Sequence, residues 1–406
     1  MIEFPIDCFN DIVEFLEDDL NTFYSCLLVN RNWCKFFVKI YWKHIRNLDT
    51  LISCLPNDSK EILYNNGISI STSKTPLFNY ASFCKYLEVY KIIDNVKDFL
   101  QNRQSTKLKN LNKDTITLSR EIFKLLMCQI SSLRELACAF TFTNQTSINF
   151  ISYPGAIDCL KNLSMLYIYS SIDPEFLYQL SKICKTIHTL RIGFNGVISN
   201  GLTDLISAQQ YLRHLYMDQY KSYQNFTDII TLLERIPNSL IKFSIYGGIS
   251  VIAIPLSFIA RFTNLRELVF TFYSNEFYKD FNRLQYSIFP HLQSLKFSMK
   301  CPRNELLIKF LENNGKNLKE LYVKGNYNYY SLNLAIIELC PNLRNLSTRI
   351  NYDEFKTLEL ILINCQYLES IEVFGENYLS INIKDISEKV KKYSPKIKLI
   401  FSEMRN

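Results

Sequence analysis

The side chains of this chain that could ligate a metal or act as nucleophiles with a basic partner are mainly twelve cysteines and four histidines. A zinc site needs ligands paired at short spacing, and no Cys-x-x-Cys occurs anywhere. His188 and His214 would have to be brought together by the fold, and a catalytic or metal pair there would still need a third partner. The nearest thiol, Cys184, is expected to be buried in the helix half of its repeat. Neither a glycine-rich phosphate loop nor a Gly-x-Ser-x-Gly elbow is present. The expectation is a non-catalytic chain without metal or cofactor. What remains is chemistry of contact. Tyrosine (26) and phenylalanine (29) are abundant, and tyrosine and arginine are the residue types that dominate the energetic centres of interfaces.

Positioning such residues falls to a phrase that returns along most of the chain, Leu-x-x-Leu-x-(Leu/Ile/Val/Phe). It reads Leu163/Leu166/Ile168, Ile187/Leu190/Ile192, Leu212/Leu215/Met217, Leu240/Phe243/Ile245, Leu265/Leu268/Phe270, Leu292/Leu295/Phe297 and Leu318/Leu321/Val323. Leu343/Leu346/Thr348 and Leu368/Ile371/Val373 follow, with weaker copies at Leu133/Leu136/Cys138 and Ile397/Ile400. The phrase alternates and is rich in β-formers, so it predicts a short strand. Helical spacing precedes it at Pro174–Ile183, Phe226–Arg235, Asn304–Leu311 and Asp353–Ile363. Tight turns such as Cys340-Pro341-Asn342 and Lys316-Asn317 lead into the strands. Period and pattern resemble the leucine-rich repeat, and the Cys three residues before Ile187, Leu343 and Leu368 resembles its cysteine-containing subclass. The expected fold is therefore α/β, a right-handed solenoid with parallel strands on the concave face and helices on the convex face. The repeated thiols are expected to be small apolar core fillers.

Upstream, Asp58–Tyr64 and Leu87–Leu100 have helical spacing, and the polar stretch Asn102–Asp114 predicts a loop. Lys384–Arg405 predicts a last helix and a final short strand. The boundaries expected are 1–46 for a helical segment, 47–128 for a connecting segment with atypical first coils, and 129–406 for the solenoid with its cap.

Within each strand the phrase residues point inward, so the residues between and after them face out on the concave side. This makes Tyr167, Tyr169, Arg191, His214, Tyr216, Asp218, Tyr246, Lys296, Tyr322, Lys324, Arg349 and Glu372 the candidate target-binding residues. The turns at the strand ends are the competing location.

The first residues differ in kind. Residues 1–30 carry seven acids and no Lys or Arg. Phe9, Ile12, Val13 and Leu16 share one helical face; Phe23, Cys26, Leu27 and Leu28 mark a second helix; Trp33, Phe36, Phe37, Ile40 and Tyr41 mark a third. Three short helices cannot close a large core alone, and leftover apolar surface seeks a partner. Phe4-Pro5, Ile12, Phe15-Leu16, Cys26-Leu27-Leu28-Val29-Asn30 and Trp33 resemble the F-box over about residues 3–46, with Phe4 in place of the usual leucine. That resemblance implies docking onto a Skp-type adaptor, and through it a cullin, with Pro5, Ile12, Leu16, Leu28 and Val29 as contacts and Trp33 as a contact or a core residue. Independently, Arg31, Lys35, Lys39 and Lys43 recur every four residues. Such a stripe is either a solvated face or a means of steering toward an acidic partner.

A net charge of +7 is modest at this length and gives no nucleic-acid footprint unless it clusters. The uncharged run 247–260 contains Pro255 and is too short to span a bilayer. The start of the chain has no basic-then-apolar order of a secretion signal, so free thiols in the cytosol or nucleus are expected. The function these features imply is the target-binding subunit of an SCF-type ubiquitin ligase, with an interaction scaffold lacking ligase recruitment as the alternative.

Overall fold

The computed structural model describes residues 16, 19–70, 76–103, 110–138, 148–195, 197–219, 231–247, 255–324, 330–350, 355–375 and 397–403. Pro5, Phe9, Ile12, Val13, residues 226–230 and residues 384–396 lie outside these. The chain divides into two compact units, residues 1–166 with 182–186 and residues 167–181 with 187–406.

The described residues contain twelve strands, hydrogen-bonded in chain order in one sheet. They are β1 (Tyr86–Glu88), β2 (Glu135–Cys138), β3 (Met165–Tyr169), β4 (Thr189–Phe194), β5 (His214–Gln219), β6 (Lys242–Gly247), β7 (Glu267–Phe272), β8 (Ser294–Met299), β9 (Glu320–Val323), β10 (Asn345–Arg349), β11 (Ser370–Gly375) and β12 (Lys398–Glu403). Pairing is parallel from β4 through β12 and between β1 and β2. The middle residue of each phrase sits opposite its counterpart: Leu190, Leu215, Phe243, Leu268, Leu295, Leu321, Leu346 and Ile371 form one buried row. A one-residue slip would turn every such side chain outward, so the leucine row itself fixes the register. This is the architecture of a leucine-rich-repeat solenoid.

In the first unit, α1 (Leu20–Leu28) is capped by Asp19, whose carboxylate accepts from the amides of Asn21 and Thr22 at 3.1 Å. The helix α2 (Arg31–Tyr41) is capped by Asn30, which accepts from Asn32 and Trp33 at 3.0 Å. Phe23, Cys26 and Phe37 form their common core, with Leu16, Leu27 and Trp33 packed against it. Trp33 stacks on Phe37 at 5.4 Å. Further along, the helix Leu111–Gln129 buries Leu118, Ile122, Phe123 and Leu126, and Phe123 stacks on Phe150 at 5.3 Å. Its one buried carboxylate, Glu121, accepts from Ser59 at 2.7 Å and pairs with Lys124 at 2.6 Å, so the charge is compensated.

Three expectations are corrected. Leu87 belongs to strand β1 rather than a helix, which starts only at Val89; Leu87 is buried in the row that Leu136 continues. Leu111–Asp114, expected in a loop, opens the 19-residue helix Leu111–Gln129, because the apolar period through Leu118 and Ile122 outweighs local polarity. At the end of the sheet, Leu399 rather than Ile400 lies opposite Ile371, and Ile400 is exposed. The segment Ile397-Lys398-Leu399-Ile400-Phe401 is apolar in both phases, so its pattern could not set its register.

In the second unit, helices precede strands as expected over Pro174–Ile183, Asn304–Asn314 and Phe355–Asn364. Pro174 suits a first helical position, and Asp173 accepts from the Phe176 amide at 3.3 Å. Turn asparagines tie coil to coil. Asn264 donates to the Asn238 carbonyl (2.7 Å), Asn317 to Pro290 (3.1 Å) and Asn342 to Lys316 (2.9 Å). The core around β7 and β8 is aromatic, with Phe270, Phe272, Phe281, Phe289, Phe297 and Phe310 all fully buried.

Candidate functional site

The buried thiols are structural. The eleven described cysteines are free. Burial pushes Cys84, Cys159 and Cys184 up to about 12 and drives Cys138 and Cys340 higher still, so they remain protonated and poor nucleophiles. Cys184 donates to the Leu160 carbonyl at 3.3 Å, a packing role. His188 is exposed at the strand start, whereas His214 lies on the sheet and shares a hydrogen bond with Thr189 Oγ1 at 3.1 Å. Burial, with Lys242 nearby, lowers the His214 pKa and keeps the ring neutral at pH 7. Among the described residues no group of three His, Cys, Asp or Glu is placed to hold a metal.

The open face of the sheet carries the candidate residues in three groups. In the first, Arg191 donates from Nε to Asp218 at 2.5 Å and lies 5.1 Å over the Tyr167 ring, while the Tyr167 and Tyr169 hydroxyls are 3.3 Å apart. Asp218, expected to face solvent, is 5% exposed; Arg191 covers it. In the second, Lys242 pairs with Glu267 at 2.9 Å, and Lys296 bridges Glu267 (3.4 Å) and Glu320 (3.1 Å). Lys242 lies over Tyr216 at 5.6 Å and Lys296 over Tyr322 at 4.8 Å. In the third, Lys324 pairs with Glu372 at 3.8 Å and lies over Phe374 at 4.5 Å, and Ser347 donates to Glu372 at 2.9 Å. Tyr246, opposite Asp218 in the strand register, lies edge-on to Tyr273 at 5.8 Å. Arg349 is half-buried at the end of β10.

Charge alternates strand by strand from β4 to β9: Arg191, Asp218, Lys242, Glu267, Lys296, Glu320. Lys242, Glu267 and Glu320 were outward residues that sequence reasoning did not single out as a site. Lys242 and Glu267 stand directly opposite each other in the register, a pairing of opposite signs one repeat apart that the sequence spells out, whereas Arg191, Asp218, Lys296 and Glu320 lie at different positions of their strands and meet only through side-chain reach. Each cation of this row is matched to an acid and to an aromatic ring or a second acid. A partner landing here meets fixed, paired charges on flat aromatic ground, which favours specificity over net attraction.

Burial works against the charge of Lys296, yet its hydrogen bond to Glu320 and the attraction of Glu320 and Glu267 hold its pKa above the usual lysine value. Burial likewise pushes the Glu320 carboxyl up, but hydrogen bonds from Lys296 and Ser294 outweigh it and leave the group below its ordinary range. A carboxyl lowered on folding adds stability that is present above its unfolded pKa and is lost as pH falls through the folded one. Lys296→Met is therefore expected to cost about 1 kcal/mol or less at pH 7, because solvent screens the partly exposed pair. The difference from wild type should shrink as pH falls below about 4. Urea denaturation at both pH values measures this. A deficit unchanged in acid would assign the loss to packing of the lysine stem instead.

No protein-family model and no curated protein sequence matches the chain. Among solved structures it is similar to a chain of the yeast Rad7–Elc1 complex, at 16% identity and a TM-score of 0.39, over 77% of this chain and 92% of that one. It is also similar to the leucine-rich-repeat-containing protein LegL7 from Legionella pneumophila (14% identity, TM-score 0.38, 67% of this chain and 83% of that one). A third is the TLR13–ssRNA13 complex (12% identity, TM-score 0.35, 69% of this chain and 40% of that one). The leucine-rich-repeat architecture itself stands on the register of this chain's own strands.

Proposed function

We propose that the chain is the target-binding subunit of an SCF-type ubiquitin ligase. Its N-terminal helices dock a Skp-type adaptor, and through it a cullin, and its sheet face holds a protein target. The observation that carries this is an apolar pair left outside the core at the end of α1: Leu28 is 85% and Val29 57% exposed, while Phe23, Cys26 and Phe37 close inward. A single exposed leucine is ordinary on a folded protein. Here two adjacent exposed apolar residues, Leu28 and Val29, stand where the F-box resemblance puts adaptor contacts. Arg31, Lys35, Lys39 and Lys43 are all exposed as well, which suits an apolar partner site with an acidic rim. Leu16, named with the contacts, packs onto the α1–α2 core and supports them from behind.

The chain itself is not an enzyme on this reading. It raises the local concentration of target near the ligase's conjugating chemistry. The free thiols suit the reducing cytosol or nucleus, and among the described residues no helix is long and apolar enough to cross a membrane.

Co-purification with a Skp-type adaptor tests the proposal. Leu28→Asp with Val29→Asp is expected to weaken the complex at least about tenfold without a change in folding, since both side chains are already in water. Folded wild-type protein that binds no such adaptor at micromolar concentration leaves an interaction scaffold without ligase recruitment.

A further inference from the structure

We infer that the start of strands β8–β11 carries a groove that binds an acidic peptide segment, bearing phosphate or carboxylate groups, through Lys316, Lys319 and Arg344. The groove has a volume of about 360 Å³. It is lined by the residues flanking the first leucine of four successive coils: His291 and Gln293, Asn317 and Lys319, Asn342 and Arg344, and Tyr367. Four coils at ~4.8 Å per strand span about 14 Å, the reach of about four residues of extended peptide. No acid lines it, and its three cations sit at its centre on two adjacent coils, Lys316 and Lys319 on one and Arg344 on the next.

The groove differs from the sheet face in how its charges are used. On the face, Lys242 and Lys296 are neutralised by Glu267 and Glu320. At the strand starts, Lys316 and Lys319 have no ion-pair partner among the described residues. Arg344 reaches only Glu369, at 3.1 Å, with both side chains more than half exposed; an ion pair this open is weak and readily exchanged. The same position, one residue after the first leucine, is also exposed Arg213 on β5's coil and exposed Arg266 on β7's, so basic residues recur along this edge.

The scaffold beneath is rigid. The Lys319 carbonyl accepts from the amides of Arg344 (2.8 Å) and Asn345 (3.0 Å), and the Arg344 carbonyl from Glu369 (2.7 Å) and Ser370 (3.0 Å). Asn317 and Asn342 donate to carbonyls of the preceding coils, which fixes the floor and leaves the lysines and arginine to act on a ligand. Hydrogen-bonded backbone under exposed cationic side chains suits charge-assisted hydrogen bonds to phosphate or carboxylate oxygens.

Nucleic acid fits less well. Tyr367 is the only aromatic ring in the lining besides the imidazole of His291, so successive bases find no stacking platform. A phosphate backbone extending onto the sheet would meet Glu320 and Glu372. A ligand with a few negative charges and a short footprint matches better. This inference does not depend on whether the α1–α2 segment recruits an adaptor.

Fluorescence anisotropy of the full chain with a labelled peptide carrying several phosphoserines tests it. That peptide, and its glutamate-substituted twin to a lesser degree, should bind about tenfold or more tighter than the unphosphorylated serine peptide, and affinity should fall with added salt. Lys319→Glu with Arg344→Glu should remove the preference, whereas Lys91→Glu with Lys113→Glu, an equal charge change outside the groove, should keep it. Equal binding of all three peptides, or full retention of the preference in a folded K319E/R344E variant, overturns the inference. Inorganic phosphate that displaces the peptide at equal concentration would mark a free-anion site, and tighter binding of a mixed-sequence single-stranded oligonucleotide would mark a nucleic-acid site; either result overturns the peptide assignment.

Discussion

Phe270→Ala is expected to lower the stability of the second unit by about 3–5 kcal/mol, the range found when a buried aromatic is truncated and the cavity relaxes only in part. Phe270 is fully buried. It stacks on Phe297 of the next strand at 5.3 Å and 10°. It meets Phe281 and Tyr278 edge-on at 6.2 and 6.1 Å, and Phe281 continues to Phe310 at 5.8 Å. Removing the central ring therefore thins a cluster that spans three coils. Refilling it would require these rings to leave their edge-on geometry, worth about 0.5–1.5 kcal/mol per pair beyond burial. The Tyr278 hydroxyl also donates to the Lys300 carbonyl at 2.8 Å, which holds that ring in place and limits collapse. In a solenoid each coil contacts only its neighbours, so the loss stays local. Urea unfolding should gain an early phase, and amide exchange should accelerate first in β6–β8. Phe270→Leu keeps most of the volume and should cost about half as much or less. A Phe270→Ala deficit below about 1 kcal/mol would mean that the aromatic cluster is not what joins these coils.

The phrase that announces the repeats is legible because burial is required at every second strand residue and the helix half must cover it. Leu190 and Leu215 can be placed opposite each other from spacing alone. The same reasoning fails at the ends. Tyr86-Leu87-Glu88 offers one apolar residue and no leading leucine, so β1 reads as part of the following helix. Residues 397–401 offer apolar residues in both phases. On the open face, alternation identified Arg191, Asp218, Lys296 and Tyr322 as outward residues but said nothing about who pairs with whom. Asp218 is buried because Arg191 lies across it, a contact between strands 27 residues apart. The basic residues after the first leucines were in plain view as letters. They acquire meaning only when the sheet puts Lys319 and Arg344 side by side just before adjacent strands, while Glu267 and Glu320 answer the cations of the face.

Gly201→Ala carries the second large expected effect, and here the obstacle is backbone. The helix Asn200–Ser207 starts against the preceding helix, Pro174–Ile183. A Cβ at Gly201 would lie 2.1 Å from the Pro174 carbonyl oxygen, 3.0 Å from its carbon and 3.2 Å from the Tyr178 amide nitrogen. No rotamer change relieves such a clash, because all three atoms belong to the main chain. Alanine is the better helix former by about 1 kcal/mol, so a helix free of neighbours would be stabilised. The expectation is the opposite sign, a net loss of about 2–3 kcal/mol as the two helices are forced apart. Gly67 provides the contrast. It has φ +77°, and a Cβ there would meet nothing within 4 Å, so Gly67→Ala meets only the left-handed backbone penalty of about 1 kcal/mol. Chemical denaturation of both variants separates close approach from backbone strain. Equal losses at the two sites, or a stabilised Gly201→Ala, would show that the Pro174 turn can withdraw. Close approach of consecutive coils would then not be what restricts position 201 to glycine.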